Sequence, residues 1–232
     1  MMRPIAKPWI FMTTVAIAST AMADMDFISY EIMGEDLIPN SYTIRLYAEL
    51  GEGDRLQAVY GNSDYKLRIQ TYNDASFYQN PLGGPTSQSI NTAFFPLIPS
   101  LEWDSFVTIG ATSTLDNHLQ HMGMDWSTWD PGGGDLISDS GIWFVAGSET
   151  QGAPIDGRVL IGQFTIQSGT SFPDFYFQAM FQGVEADGTI WHEAHDFAWL
   201  APAPSGLALL SIALLRPRRR RHMAATPNPP QL

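Results

Sequence analysis

Residues 175–200 of the 232-residue chain read FYFQAMFQGVEADGTIWHEAHDFAWL, and their pattern gives the clearest indication of its fold. Apolar and polar residues alternate along its two halves, which is the period of a strand with one buried face. The dipeptide Asp187-Gly188 between the halves is typical of a hairpin turn. We therefore expect an antiparallel hairpin. The residues expected to point inward from it are Phe175, Phe177, Ala179 and Phe181.

The same alternation recurs upstream of this hairpin. In residues 42–50, Ile44, Leu46 and Ala48 are expected on one face and Thr43, Arg45, Tyr47 and Glu49 on the other. Further runs of strand character cover 56–60, 65–71, 105–111, 141–146 and 159–167. About eight short strands separated by Gly, Pro, Asn and Asp predict an all-β domain over residues 24–200, an antiparallel β-sandwich of jelly-roll or immunoglobulin-like type.

The charge of the chain is divided among three segments. All 24 acidic residues lie in 24–200, together with five of the 12 basic residues, so this domain carries a formal charge of −19. Such a surplus excludes general nucleic-acid binding, which needs a cationic face, and it favours divalent cations as partners. The absence of cysteine excludes disulfides and thiolate metal sites.

The first segment has the order of a secretory signal peptide. Arg3 and Lys7 precede a short apolar run over residues 9–18, and Ala21-Met22-Ala23 supplies a small-x-small cleavage site. We expect residues 1–23 to be removed by signal peptidase, leaving a mature chain that begins at Asp24.

The last segment combines a Pro-rich breaker, an apolar run and a basic cluster. Residues 206–215 form the apolar run, and a helix of these ten residues would cover about 15 Å, half of a hydrocarbon core. It is therefore expected to associate with a membrane only transiently, as a short C-terminal apolar helix. The arginines that follow favour a cytoplasmic position for that end.

Residues 202–221 resemble the PEP-CTERM sorting tail of Gram-negative bacteria, in the Pro-Ala-Pro form found in planctomycete-like lineages. The motif is Pro202-Ala203-Pro204, with Ala203 in place of the usual Glu, and the arginine cluster is Arg218, Arg219, Arg220 and Arg221. The resemblance implies cleavage near the motif by an exosortase-type enzyme. It also implies release to the outer envelope, the cell surface or the extracellular matrix, after an inner-membrane stage. Residues 222–232 continue past the arginines and are expected to be disordered.

One loop of the domain offers candidate ligand-binding residues. It is rich in Gly and acidic residues, and hard oxygen ligands at loose spacing suit Ca²⁺. The candidate calcium ligands are Asp125, Asp130, Asp135 and Asp139. Core or rim packing is the favoured role of the tryptophans in the domain. Trp126 and Trp129 in the same loop are the best candidates for exposure, where they would serve as platforms for a sugar ring.

A second cluster, His192-Glu193-Ala194-His195-Asp196, lacks the His-Glu-x-x-His spacing of zinc sites. On a strand, His192 and His195 would point to opposite faces, so one metal could not bind both. The sequence contains no nucleophile–base signature, so nothing in it indicates an enzyme.

The sequence thus predicts an exported, non-catalytic protein of the cell surface or matrix, with an envelope or matrix polysaccharide as a possible partner. The alternatives are a calcium-assisted carbohydrate-binding module and a secreted hydrolase of unrecognised type.

Overall fold

The computed structural model describes residues 25–168 and 175–199. The predicted signal peptide with its cleavage site at Ala21, Ala23 and Asp24 lies outside the described residues. The same holds for the predicted sorting tail over 201–221 and for residues 222–232.

The described residues contain strands and short 3-10 helices, with no α-helix among them. The strands are β1 (Ile28–Glu35), β2 (Ser41–Glu49), β3 (Arg55–Tyr60), β4 (Leu67–Thr71), β5 (Ser76–Phe77), β6 (Phe106–Val107), β7 (Gln120–Met122), β8 (Leu136–Ser138), β9 (Ile142–Phe144), β10 (Arg158–Gln167), β11 (Phe175–Val184) and β12 (Ile190–Trp199). The 3-10 helices are Ser87–Ser89, Thr92–Phe94, Pro99–Trp103 and Thr150–Gly152.

The strands form two antiparallel sheets. In the five-stranded sheet the order is β1-β2-β10-β5, and β6 pairs with β10 beside β5. In the seven-stranded sheet, β11 pairs with β12 along one edge and with β3 and β4 along the other. Strands β9 and β8 continue the sheet beyond β3 and β4, and β7 pairs with β9. The predicted all-β sandwich is confirmed at this level.

A single large core fills the space between the sheets. Ile44 and Phe164 from the five-stranded sheet and Phe175, Phe177 and Phe181 from the seven-stranded sheet are all fully buried in it. The rings of Phe164 and Phe175 have their centroids 5.1 Å apart, so side chains of the two sheets are in direct contact. Aromatic residues therefore supply much of the apolar burial that holds the sheets together.

The hairpin that the sequence predicts is present. The inward positions Phe175, Phe177, Ala179 and Phe181 are all fully buried. At the turn, Glu185 N–H donates to Thr189 O at 2.8 Å, and Gly188 takes a φ of 91°, a left-handed conformation that favours glycine. The Asp187 carboxylate accepts a hydrogen bond from Thr189 N–H at 2.8 Å, which closes the turn.

The predicted strand over 105–111 is shorter than expected. Only Phe106–Val107 is regular strand, although Thr108 and Gly110 still donate backbone hydrogen bonds to β10. The register of β10 against β2 shifts between Leu160 and Gly162, so the neighbouring chain cannot follow it as a regular ladder. The strands β1, β5, β7 and β8 were not predicted.

Part of the outer face of the five-stranded sheet is covered, although its polar residues suggest exposure to solvent. Thr43, Gln163 and Thr165 on this face are fully buried. The chain between β5 and β7 lies over them, and a second small apolar cluster forms there around Ile90 and Leu101. Strand β10 is therefore enclosed on both faces.

Among the residues that the structure describes, no helix combines the length and the apolar character needed to cross a membrane.

Replacing Phe177 with Ala tests the core. The fully buried ring leaves a cavity, so we expect the free energy of unfolding to fall by about 3–5 kcal/mol in denaturant titrations. The control is Gln182→Ala on the outer face of the same strand, where a loss below about 1 kcal/mol is expected. Equal losses in the two variants would contradict the assigned faces of β11.

Candidate functional site

A groove of about 570 Å³ opens over the uncovered part of the outer face of the five-stranded sheet. Arg45 and Tyr47 of β2 and Arg158 of β10 line its floor, and residues from 110–118 and 149–156 form its sides. This volume falls within the range of sites for small molecules. The sequence predicted the outward direction of Arg45 and Tyr47 but not the groove.

Gln151 holds the two sides of the groove together. Its Nε2 donates to the backbone oxygen of Ile109 at 2.7 Å and to Asn117 Oδ1 at 3.1 Å. Its Oε1 accepts a hydrogen bond from the backbone N–H of His118 at 2.7 Å. The His118 imidazole in turn lies 3.7 Å from the Glu149 carboxylate. The sides are thus cross-linked through side chains on both loops.

A tight turn places Arg158 on the floor. Ile155 and Arg158 exchange backbone hydrogen bonds of 3.0 and 3.2 Å across Asp156 and Gly157, whose φ angles are 53° and 81°. Positive φ at both central residues matches the two-residue hairpin turns that favour Asp-Gly. This dipeptide is the sequence signal that could have located the start of β10.

Glu31 organises the two neighbouring side chains of the floor. Its Oε2 accepts hydrogen bonds from Arg158 Nη2 and from the Tyr47 hydroxyl, each at 3.1 Å. The Arg158 guanidinium lies 4.0 Å from the centroid of the Tyr47 ring, which is a cation–π contact. Burial, followed by the charge of Glu31, raises the pKa of Tyr47, so its hydroxyl remains a donor.

Arg45 is held from below by a buried amide. Its Nε donates to Gln163 Oε1 at 3.0 Å. Gln163 is fully buried, and its Nε2 donates to the backbone oxygens of Glu102 at 2.9 Å and Asp104 at 3.0 Å. The covering segment therefore fixes Gln163, and Gln163 orients the guanidinium.

The predicted calcium ligands have separate environments. Asp125 accepts a hydrogen bond from Ser127 N–H at 3.0 Å, and the hydroxyl and backbone of Ser127 lower the pKa of its carboxyl group. Burial instead raises the pKa of Asp130.

The other two predicted ligands are engaged with neighbouring strands. The Asp135 carboxylate accepts from Thr71 N–H at 3.1 Å and from Gln70 Nε2 at 3.0 Å. Asp139 forms an ion pair with Lys66 at 3.8 Å. Within 25–168 and 175–199, no three His, Asp or Glu side chains come together as a group that could hold a metal ion. Calcium binding by this loop stays a prediction.

Trp129 packs in the core, since its side chain is fully buried, and its selection as a candidate for exposure is wrong. Its ring packs edge-on against Phe77 with centroids 6.0 Å apart. The apolar ring draws its loop onto the core, which outweighs the polarity of the flanking acids. Trp126 is half-buried between Trp129, at 5.9 Å, and His121, at 5.4 Å. Because a fully buried ring cannot stack on a sugar, only Trp126 keeps this role, and sugar binding there stays a prediction.

The two histidines of β12 lie on opposite faces, as predicted. His192 is exposed, and its Nδ1 lies 3.1 Å from the Tyr60 hydroxyl. His195 points inward, where its Nε2 lies 2.9 Å from Glu193 Oε2 and its ring packs edge-on against Phe181. They cannot bind one metal ion together.

The chain matches no known family model and no curated protein. The site must therefore be judged on its residues alone. In the described part of the chain, the groove combines a cavity with oriented charged side chains, a combination that the sequence alone did not reveal.

Asp104, within the covering segment, is a buried carboxyl group that the sequence did not reveal. It is fully buried and accepts hydrogen bonds from Asn80 N–H at 2.6 Å and Gly84 N–H at 3.2 Å. Burial raises its pKa to about 7 against these hydrogen bonds, and the charge of Asp130 adds to the increase. Because the pKa in the unfolded chain is about 4, the folded state binds the proton more tightly.

Asp104 thus predicts a definite pH dependence of stability. Its protonated form favours folding, so its contribution is complete below about pH 4 and is lost as the pH rises through about 7. Between these two pKa values the free energy of unfolding falls by about 1.4 kcal/mol for each pH unit, so the total loss is roughly 4 kcal/mol. Unfolding titrations from pH 4 to 8 on the parent protein and on Asp104→Asn should show a much weaker decline in the variant. Parallel pH profiles would rule out this effect of Asp104.

Proposed function

We propose that the protein is an exported, non-catalytic component of the outer envelope, cell surface or extracellular matrix. The observation that carries the proposal is the arrangement of two address signals around one β domain. The signal-peptide pattern of residues 1–23 precedes it, and the tail over 202–221 that resembles a PEP-CTERM signal follows it. Signal peptidase and an exosortase-type enzyme process the chain. The mature protein then stays in the envelope, at the cell surface or in the matrix, where it acts by binding and not by catalysis.

The charge distribution supports this proposal. Removal of both ends takes away seven basic residues and leaves a domain of formal charge −19. A net charge of this size favours solubility and discourages self-association. The basic residues near the termini thus belong to the sorting signals, where export and membrane stop-transfer need them.

The fold is compatible with an exported binding domain. A two-sheet sandwich is stable without cysteines when its core is large, and the core here includes many fully buried aromatic side chains. Early strands pair with late ones in both sheets, β2 with β10 and β3 with β11. Such long-range pairing occurs in Greek-key sandwiches, and the jelly-roll or immunoglobulin-like assignment remains part of the proposal.

Processing of the full chain tests the proposal directly. In a Gram-negative host that contains an exosortase, mass spectrometry of the envelope and secreted fractions should find termini near Asp24 and Pro204. An intact 232-residue chain in the cytoplasm would refute export.

A pair of double variants makes this test specific for the motif. Pro202→Gly with Pro204→Gly should abolish cleavage at the C-terminal end and retain the tail. Pro227→Gly with Pro229→Gly, beyond the arginines, is the matched control and should be processed like the parent chain. Equal processing of both double variants would show that Pro202-Ala203-Pro204 is not a sorting motif.

A further inference from the structure

We propose that the groove on the five-stranded sheet binds a small organic acid, a ligand with a single carboxylate and an apolar body. The carboxylate would bind the terminal nitrogens of Arg45, and the apolar body would lie between the two loops that form the sides. This inference is independent of export, since it depends only on the described side chains.

The Arg45 guanidinium has hydrogen-bond donors that are not used within the protein. A guanidinium has five N–H donors in a planar fork that matches the two oxygens of a carboxylate. One of the five is engaged by Gln163. Among the described residues, Lys66 and Arg158 each have an acidic partner, whereas no Asp or Glu forms an ion pair with Arg45, Arg55 or Arg68. Of these three arginines, Arg45 lines the groove. The terminal nitrogens therefore remain available on the floor of the groove.

The acidic residue best placed to pair with Arg45 is directed elsewhere. Glu31 of β1 lies directly opposite Arg45 of β2 in the strand register. Its carboxylate nevertheless accepts hydrogen bonds from Arg158 and from the Tyr47 hydroxyl. In a domain with 24 acidic and five basic residues, Arg45 thus lines the groove without the acidic partner that the strand register offers it.

The Arg45 side chain is preorganised for binding. Arg45 is oriented by Gln163, which is itself fully buried and fixed by two backbone oxygens. A side chain that is already oriented loses less conformational entropy on binding. Arg158 next to it is held by Glu31 and by the Tyr47 ring. Because the charge of Glu31 offsets that of Arg158, Arg45 is the cation that the floor offers to a ligand.

The sides of the groove indicate the rest of the ligand. Leu115 on one loop and Ile155 on the other are 76% and 75% exposed, and both line the groove with Leu160 of the floor. Exposed aliphatic side chains on both sides favour an apolar body between them. Asp116, Glu149 and Asp156 also line the groove. Their charges restrict the ligand to a single anionic group, which binds at Arg45, and they disfavour a second one.

Two sources could supply this chemistry, a free aliphatic acid and the carboxyl end of a short apolar peptide. Four probes distinguish them: octanoate and its neutral counterpart octanamide, and acetyl-Ala-Leu with a free carboxylate or as the amide. Each is titrated into the ¹⁵N-labelled protein, and the dissociation constant is taken from backbone shifts of residues 45–47, 110–118 and 149–158.

We expect at least one carboxylate probe to shift these residues and its amide to bind at least tenfold more weakly. Arg45→Gln should weaken binding of that carboxylate ten- to a hundredfold, in line with loss of a charge-assisted fork. Arg68→Gln, which removes the same charge from the other sheet, is the matched control and should change the affinity less than twofold. Leu115→Ser, at an exposed position, should weaken binding severalfold and leave the folded spectrum unchanged.

The outcomes separate the possibilities. Octanoate alone, or the peptide acid alone, identifies the source, and binding of both identifies the shared chemistry. The proposal is overturned if no probe shifts the groove residues, if the amides bind as well as the acids, or if Arg68→Gln weakens binding as much as Arg45→Gln. If Arg45→Gln fails to fold, equal affinity of the parent protein and Leu115→Ser would still overturn it.

Discussion

Enclosure of strand β10 on both faces is the constraint on which much of the structure depends. On the inner face, Val159, Ile161, Phe164 and Ile166 join the main core. On the outer face, Gln163 and Thr165 are fully buried beneath the segment between β5 and β7. Buried polar groups must find hydrogen-bond partners, so this face determines how the covering segment is arranged.

The buried polar side chains of this face have hydrogen-bond partners. The hydroxyls of Thr43 and Thr165 lie 2.8 Å apart, and Thr165 N–H donates to Ser105 Oγ at 3.0 Å. Gln163 donates hydrogen bonds to two backbone oxygens of the covering segment and accepts one from Arg45. The groove begins where the cover ends, so the same hydrogen bonds that satisfy the buried face also orient the floor of the groove.

The fold could be predicted from sequence to the extent that it follows local periodicity. The hairpin of β11 and β12 has a strict two-residue alternation and an Asp-Gly turn, and both features determine its register without long-range information. The short strands β5, β7 and β8 carry no such signal, because two or three residues cannot display a period. Trp129 shows a different failure, since its acidic neighbours suggested exposure whereas its own apolar ring determined its burial.

The sequence by itself determined the all-β class, the inward faces of the longest strands and the separation of a strongly acidic domain from two basic ends. These properties follow from alternation and charge, which are local and additive. Which polar residues are buried depends on the tertiary structure. The same is true of the hydrogen bonds that Glu31 accepts from Arg158 and Tyr47, and of the position of Arg45 in a groove. The reason is physical: Arg45 and Gln163 are 118 residues apart, and their contact exists only because β2 and β10 pair.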